Sequence, residues 1–401
     1  MKPEYIAILA TLVALIVSMT SFPLVLRFAK HYNIVDNPNA RKLQRRPVPV
    51  MGGVVIYLGL MTGGAVIYYY WPTQMLLWGM IAMSVMMLIG VCDDIKDISV
   101  GFRFMVEIGI VAGLIGFTGF SIDSLHGLFG IEQLPVSVAW MLSILAGVGI
   151  INAINLIDGV DGYSSGYGIM ACVCFATMGI QVCHYSLVCL AVVAAASILP
   201  FFLHNVFGLR SKMYMGDGGT LMLGVLMVIF VFLVLSSEGR YNEYEAKGLG
   251  LAAFTLSVLC IPVFDTLRVM CMRMARGRSP FSPDKTHLHH LFIDMGFSHI
   301  GTALTIVFIN ACVVGLWFLS WKLGLNPTWQ AVIVVLLGLM VTFGFYHMMR
   351  VQQSGGGIDE EGYPMGGRLW HLARKVGEKS HFEKGKLWHL MTRIMDSRLL
   401  L

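Results

Sequence analysis

The sequence predicts an all-α polytopic membrane protein of about eleven spanning helices, and three observations carry that prediction. First, 57% of its 401 residues are hydrophobic and only 13% are charged, against about 25% charged in a soluble domain. Second, apolar runs without a formal charge recur from end to end: Tyr5 to Leu26, Val54 to Val91, Val138 to Ile157, Gly162 to Leu209, Gly218 to Ser237, Gly248 to Phe264, His299 to Trp321 and Leu323 to Met349. A spanning helix needs roughly 20 apolar residues, so the longest runs each fold back as two spans. Third, alternating loops counted from an outer N-terminus put 24 of the 28 Lys and Arg on one side, leaving only Lys2, Arg240, Lys247 and Lys322 on the other. Basic residues of short loops stay cytoplasmic, which predicts the N-terminus out and the C-terminus in. The net charge of +5 then belongs to loops facing anionic headgroups and gives no reason to expect nucleic-acid binding.

The first run is too long, and lacks the small-residue cleavage site, to be a removed signal peptide; it reads as the first span. The inner loop after it, Asp36 to Pro49, carries prolines that forbid a continuous helix. It also concentrates basic residues: Arg41, Lys42, Arg45 and Arg46 anchor the loop or bind an anion, with Lys42 the best placed for an anion. The third span ends in Asp93-Asp94-Ile95-Lys96-Asp97, whose acids repel one another unless a cation or a function holds them. Glu107 lies inside the fourth span, where an embedded acid is a candidate for function or pairing.

The fifth span ends in the densest polar stretch of the chain. Asn152, Asn155, Asp158 and Asp161 follow one another at intervals of three residues, so a helical turn would give them one face. Hard cations take oxygen ligands, and a divalent cation with phosphate oxygens would suit such a face. Between the seventh and eighth spans comes Tyr214-Met215-Gly216-Asp217-Gly218-Gly219-Thr220. A plain Asp helix cap fits that position but leaves the glycines and the tyrosine unexplained; backbone N–H groups brought close to an anionic ligand would explain them. Asp265 sits near the inner end of the ninth span, followed by a loop with Arg278, His287, His289 and His290. With no cysteine nearby, these histidines read as contacts to phosphate and sugar hydroxyls in preference to a closed metal site. The eight cysteines lie almost wholly in apolar runs and act as small hydrophobes.

Residues 1–350 form the transmembrane domain and 351–401 a tail that opens with a Gly-rich linker. Its Gly367-Arg368-Leu369-Trp370-His371-Leu372 returns as Gly385-Lys386-Leu387-Trp388-His389-Leu390, an offset of 18 residues or five helical turns. Both copies would show the same face, and basic residues with Trp and Leu describe an amphipathic helix lying on the inner leaflet, or alternatively one that binds a partner.

Four motifs in order on one side of the membrane resemble the polyprenyl-phosphate N-acetylhexosamine-1-phosphate transferases, in the branch that uses UDP-GlcNAc. They are Cys92 to Asp97, Asn152 to Gly162, Met215 to Gly219 and Pro280 to His290. The resemblance covers about residues 1 to 350 and implies transfer of GlcNAc-1-phosphate from UDP-GlcNAc to undecaprenyl phosphate, with release of UMP, as the first membrane step of an envelope polysaccharide. It implies Mg²⁺, with Mn²⁺ as a substitute, held by Asp217, Asn155 and Asp94. Asp93 and Asp94 match the pair assigned to the lipid phosphate; Asp158 and Asp161 match the second acidic pair, the latter near the uracil. Tyr214 would stack on the uracil, Lys42 would meet the nucleotide, and His287, His289, His290 and Arg278 the diphosphate and sugar. Asn152 joins the substrate residues or braces the turn. Gln44 departs from the histidine many members carry, and the repeated tail has no counterpart. The expected location is the bacterial inner membrane with the site facing the cytoplasm; a homodimer is left open.

Rival classes fit less well. An ion-coupled transporter would place its acids nearer the midplane and show repeated halves. An intramembrane aspartyl protease would need an aspartate in the span before Asp217, and a CDP-alcohol phosphotransferase would want Ala-Arg where Val160-Asp161 stands.

Overall fold

A computed structural model describes residues 2–36, 47–237, 248–282, 284–354, 367–382 and 385–397. Helices α1 (Pro3–His31), α2 (Gly52–Tyr70), α3 (Gln74–Ile95), α4 (Val100–Thr118) and α5 (Val136–Leu156) run alternately up and down through the molecule. They are followed by α6 (Tyr163–Gln181), α7 (Tyr185–Phe207) and α8 (Gly216–Leu235). The pair α9 (Leu251–Val258) and α10 (Cys260–Ala275) comes next, then the short α11 (Leu288–Asp294), and then α12 (His299–Lys322) and α13 (Pro327–Leu339). Among the described residues ten helices are long and apolar enough to cross a membrane, or eleven if α9 and α10 count as one broken span. That agrees with the expected all-α polytopic class.

Turn chemistry sets the helix ends. Thr73, Ser99, Ser298 and Asn326 each accept a backbone N–H of the helix they open, at 3.0 to 3.3 Å, which satisfies donors that a helix start leaves unpaired. Pro327, next to Asn326, sits where a helix tolerates proline. Helix α1 ends at His31, Asn33 at a φ of 53° turns the chain, and it returns through strands β1 (Val35–Asp36) and β2 (Val48–Pro49), paired antiparallel. On the opposite side β3 (Ser124–Leu128) and β4 (Ile131–Gln133) form a second small hairpin.

Helix α8 is the axis of the bundle: the whole of its most apolar stretch is buried, and α3, α5 and α2 pack around it. The lipid-like exposure falls on the periphery, where α1 presents Tyr5, Ile8, Leu12 and Ile16. A run expected to be one straight ninth span bends by 70° between α9 and α10. The backbone groups freed there are taken up by buried Asn310 of α12, which accepts Ile261 N–H at 2.9 Å and donates to the Val258 carbonyl at 2.9 Å. A buried side-chain amide makes the break tolerable in an apolar setting. The last span carries a π-helical segment, Met340–Phe345, and continues into α14 (Tyr346–Ser354).

The tail folds as two helices, α15 (Arg368–Lys379) and α16 (Lys386–Met395), where the 18-residue repeat suggested one continuous face. Each copy still turns Trp370 or Trp388 toward the protein and leaves Leu369 and Leu372, or Leu387 and Leu390, exposed. The eight cysteines are free thiols.

Candidate active site

Spans that alternate in direction bring the C-terminal ends of α1, α3, α5 and α7 and the starts of α8 and α12 to one end of the bundle. There they enclose a cavity of about 620 Å³. Its wall includes Asp94, Asn155, Asp158, Asp161, Tyr214, Asp217 and His290, together with Asp36, Asn205 and His299.

The N-terminus of α8 organises one side. Asp94, at the end of α3, accepts the backbone N–H of Asp217 at 3.0 Å and that of Gly218 at 3.3 Å. A carboxylate is stabilised at a helix N-terminus, so Asp94 is oriented by the same helix that carries Asp217. Gly216 makes this approach possible. Its φ of 75° disfavours side chains, and a Cβ there would lie 2.5 Å from an Asp94 carboxylate oxygen. Asn155, from the end of α5, donates to Asp217 Oδ1 at 2.8 Å and to Thr220 Oγ1 at 2.9 Å, which leaves its carbonyl oxygen available to a ligand. The result is a group of three oxygen-bearing side chains from three helices. Among the described residues no three His, Cys, Asp or Glu side chains form a metal cage. Two carboxylates and an amide suit a hard cation that keeps water and phosphate oxygens in its remaining positions.

The other side is built from loops. Asp161 receives Lys212 Nζ at 2.6 Å and lies 3.1 Å from His299 Nδ1. Burial pushes its carboxyl up, but His299 and Lys212 outweigh that and hold it below the usual carboxylate range. Asp158 opens onto the cavity, yet the cavity is recessed, so desolvation raises its carboxyl to about 6. A bond from Ser164 opposes the rise and the neighbouring Asp217 and Asp161 add to it. Tyr214 is zipped into place by its N–H to the Pro49 carbonyl and by Gly52 N–H to its own carbonyl, both at 2.8 Å. Burial, then Asp161 and the other nearby acids, push its phenol upward, so it stays neutral.

The histidine loop borders this wall. Asp265 accepts His287 Nδ1 at 3.0 Å and the Leu288 N–H at 3.1 Å and pairs with Arg268 at 2.7 Å, which fixes the start of α11. His289 stacks between His287 and His290 and packs against Gly159, where any Cβ would collide with its ring. Burial first, then His290 and His287, push His289 well below the ordinary imidazole range; burial also lowers His290. Both are therefore neutral near pH 7, and His290 reaches the cavity as a hydrogen-bonding group. Farther along, the Arg273 fork meets both oxygens of Asp284 at 3.0 Å. Against the burial that would raise it, this fork helps hold Asp284 at about 2.

Several expected residues are placed differently. Asp93 is absent from the cavity wall: it accepts the Ile98 N–H at 2.7 Å and pairs with Arg103 at 3.3 Å, closing the turn between α3 and α4. Asn152 donates to Glu107 Oε2, whose other oxygen lies 3.6 Å from Arg103 Nε, and so Asn152 braces the turn without facing the cavity. A face repeated every three residues ends with α5 at Leu156, which is why Asn152 and Asp158 part company. His287 and His289 lie behind His290, and Arg278 is exposed on its loop away from the cavity wall. Lys42 lies outside the described residues.

Sequence reasoning missed Lys212, His299 and Asn205. Lys212 reads as one more positive-inside residue, and His299 as the first residue of an apolar run. A polar residue just after a helix cap, facing the side where other motifs gather, was the available signal for His299.

A model of glycosyl transferase family 4 matches residues 76–235, which hold the ends of α3 and α5 and the start of α8. The undecaprenyl-phosphate alpha-N-acetylglucosaminyl 1-phosphate transferase of Escherichia coli K12 is 29% identical over 323 residues, 79% of this chain and 84% of its own length. A Bacillus subtilis protein described as a "probable undecaprenyl-phosphate N-acetylglucosaminyl 1-phosphate transferase" is 31% identical over 304 residues, 76% of this chain and 82% of its own. The Yersinia pestis transferase of the same description as the first is 27% identical over 314 residues, 77% and 82% of the two chains.

Proposed function

The chain belongs to glycosyl transferase family 4, and from that premise we propose that it transfers GlcNAc-1-phosphate from UDP-GlcNAc to undecaprenyl phosphate. An oxygen of the lipid phosphate attacks the phosphorus that bears the sugar, the bond to UMP breaks, and UMP leaves. The products are undecaprenyl-diphospho-GlcNAc and UMP.

The observation that carries this reading is one cavity lined by Asp36, Asp94, Asp158, Asp161 and Asp217, with Asn155 and Tyr214 beside them. A bare diphosphate would be repelled by so many carboxylates. Mg²⁺, with Mn²⁺ as a substitute, held by Asp217, Asn155 and Asp94, would neutralise the diphosphate and steady the leaving UMP. Asp94 and Asn155 orient the donor group around the α8 N-terminus. Asp158, ionised above about pH 6, is suited to orient or deprotonate the attacking phosphate. The loop-built wall takes the nucleotide, with the uracil on Tyr214 and beside Asp161. His290 meets the diphosphate and sugar, and His287 and His289 set its position. Direct attack is the simpler course, because no isolated nucleophile stands apart from the cation site.

The basic bias of the loops at this end supports a cytoplasmic site in a bacterial inner membrane. A different UDP-HexNAc donor is the alternative at the sugar. The test is transfer of radiolabelled sugar phosphate from a panel of UDP-sugars to undecaprenyl phosphate, with and without Mg²⁺. The expected result is UMP release with UDP-GlcNAc that depends on the cation. Release of UDP would show whole-sugar transfer and overturn the reading, and full activity without a divalent cation would overturn the metal assignment.

A further inference from the structure

Two of the contacts that the C-terminal tail makes with the bundle each lie one residue from a side chain that meets Asp161. Asp396, just past α16, accepts the backbone N–H groups of Leu209, Arg210 and Ser211 at 3.0 to 3.1 Å and the Ser211 hydroxyl at 3.0 Å. Trp388 of the same helix packs on Phe207, ring centres 4.9 Å apart. The next residue after Ser211 is Lys212, whose ammonium meets Asp161 at 2.6 Å. Buried Asn205 locks the same turn, giving its amide N–H to the Met213 carbonyl at 2.9 Å and accepting Gly162 N–H at 2.7 Å.

The second grip is at Ser298. Its N–H donates to Ser380 Oγ at 3.2 Å and its hydroxyl to the Ser380 carbonyl at 2.9 Å. Gly377 of α15 lies against the Met295 carbonyl, where a side chain would not fit, and Trp370 is buried. Ser298 caps α12, and the first residue of that helix is His299, 3.1 Å from Asp161. Thus Lys212 and His299 reach the same carboxylate from two backbones that the tail fastens separately.

We propose that α15 with Ser380 and α16 with Asp396 form a two-point clamp that positions Lys212 and His299 on Asp161, with Asp396 and Ser380 as positioning residues for the nucleotide wall. The proposal rests on the reading of that wall as the nucleotide site. The repeat supplies two similar docking helices, while the latching residues are not repeat-equivalent: 18 residues before Asp396 stands Glu378, which is exposed. A backbone turn whose N–H groups converge on one carboxylate is a strong local fastening. Small misplacements of binding groups cost far more than their size suggests.

The experiment uses the full chain in lipid nanodiscs and compares wild type, Asp396→Ala, Asp396→Asn, Lys212→Met and the double variant Asp396→Ala with Lys212→Met. Two readouts are taken: steady-state kinetics with UDP-GlcNAc and undecaprenyl phosphate, and amide hydrogen exchange. Asp396→Ala is expected to raise KM for UDP-GlcNAc about tenfold, with kcat and KM for the lipid changed less than about twofold. Asp396→Asn, which keeps one acceptor oxygen, should lie between it and wild type and also serves if the Ala variant does not fold. In the Lys212→Met background the Asp396→Ala effect on KM should vanish, because coupled residues are not additive. Additive effects, an equal fall in kcat with KM unchanged, or unchanged KM would overturn the clamp. If the wild type releases no UMP, the functional reading fails and exchange alone decides. Faster exchange at 209–213 together with 158–163 then supports the clamp, and faster exchange at neither or at 209–213 alone overturns it.

Discussion

The two walls of the cavity are made in different ways. The Asp94, Asn155 and Asp217 wall is built on the ends of three packed helices, one of which is the buried axis of the bundle. The Asp161, Lys212, His299 and Tyr214 wall is built on turns, fastened by side chains from distant parts of the chain. Groups on rigid elements hold a fixed geometry, as the cation and developing charge require. Groups on turns can be re-aimed by small changes elsewhere, which suits recognition of a nucleotide. Helix-borne residues, together with Asp158 just past the end of α5, should therefore control the chemical step, and Asp161, Lys212, His299 and Tyr214 should control binding.

The largest effect is expected at Asp217. Asp217→Ala should lower UMP release by at least about a thousandfold, in the range found when groups stabilising transition-state charge are removed, while the protein still inserts and elutes as a single species. Ordinary turnover of that variant with Mg²⁺ would break the comparison outright.

Gly216→Ala sharpens it. With φ at 75° and Asp94 in the way, the added methyl should displace the α8 start, lowering kcat and thermal stability together. Gly277→Ala has a similar φ of 65° and open space around it, so it should cost only the backbone preference, about 1–2 kcal/mol. Equal activities for the two variants would mean that Asp94 is not held as described.

On the turn-built wall, Lys212→Met should raise KM for UDP-GlcNAc about tenfold with kcat nearly kept, read from initial rates at saturating lipid. A matching fall in kcat would erase the distinction between the walls.

The pH profile gives the smallest effect. Asp158 has its folded-state carboxyl raised to about 6, so it is protonated below that pH. Activity that needs the carboxylate should therefore rise with pH and level off above about 6. Ser164 donates to Asp158 and lowers its value; Ser164→Ala should shift this acid limb to higher pH. A limb that stays in place would separate Asp158 from catalysis.

Much of the fold was legible because it follows from local properties. Apolar length gives the spans, and cap residues such as Ser99 and Asn326 give their starts. The bend at Leu259 was not legible, since it depends on Asn310, some fifty residues away, to satisfy the opened backbone. At the site, the acids Asp94, Asp158, Asp161 and Asp217 and the amide Asn155 stood out as polar groups in an apolar chain. Asp93 and Asn152 stood out for the same reason, yet their partners, Arg103 and Glu107, lie on α4 and draw them away from the cavity. Polarity in sequence marks that a group needs a partner, without saying which partner it finds.

By itself the sequence determined the class, the number of spans, the side on which basic residues gather and the four motifs of the site. These rest on hydrophobic length, on charge and on residue types that hold over a few turns. Only the tertiary structure decided that Asp161 would meet Lys212, 51 residues away, and His299, 138 residues away. It likewise decided that Asp396 would fasten Ser211 across 185 residues. Such meetings depend on which helix ends share a face of the bundle, and packing fixes that only when all the spans are in place.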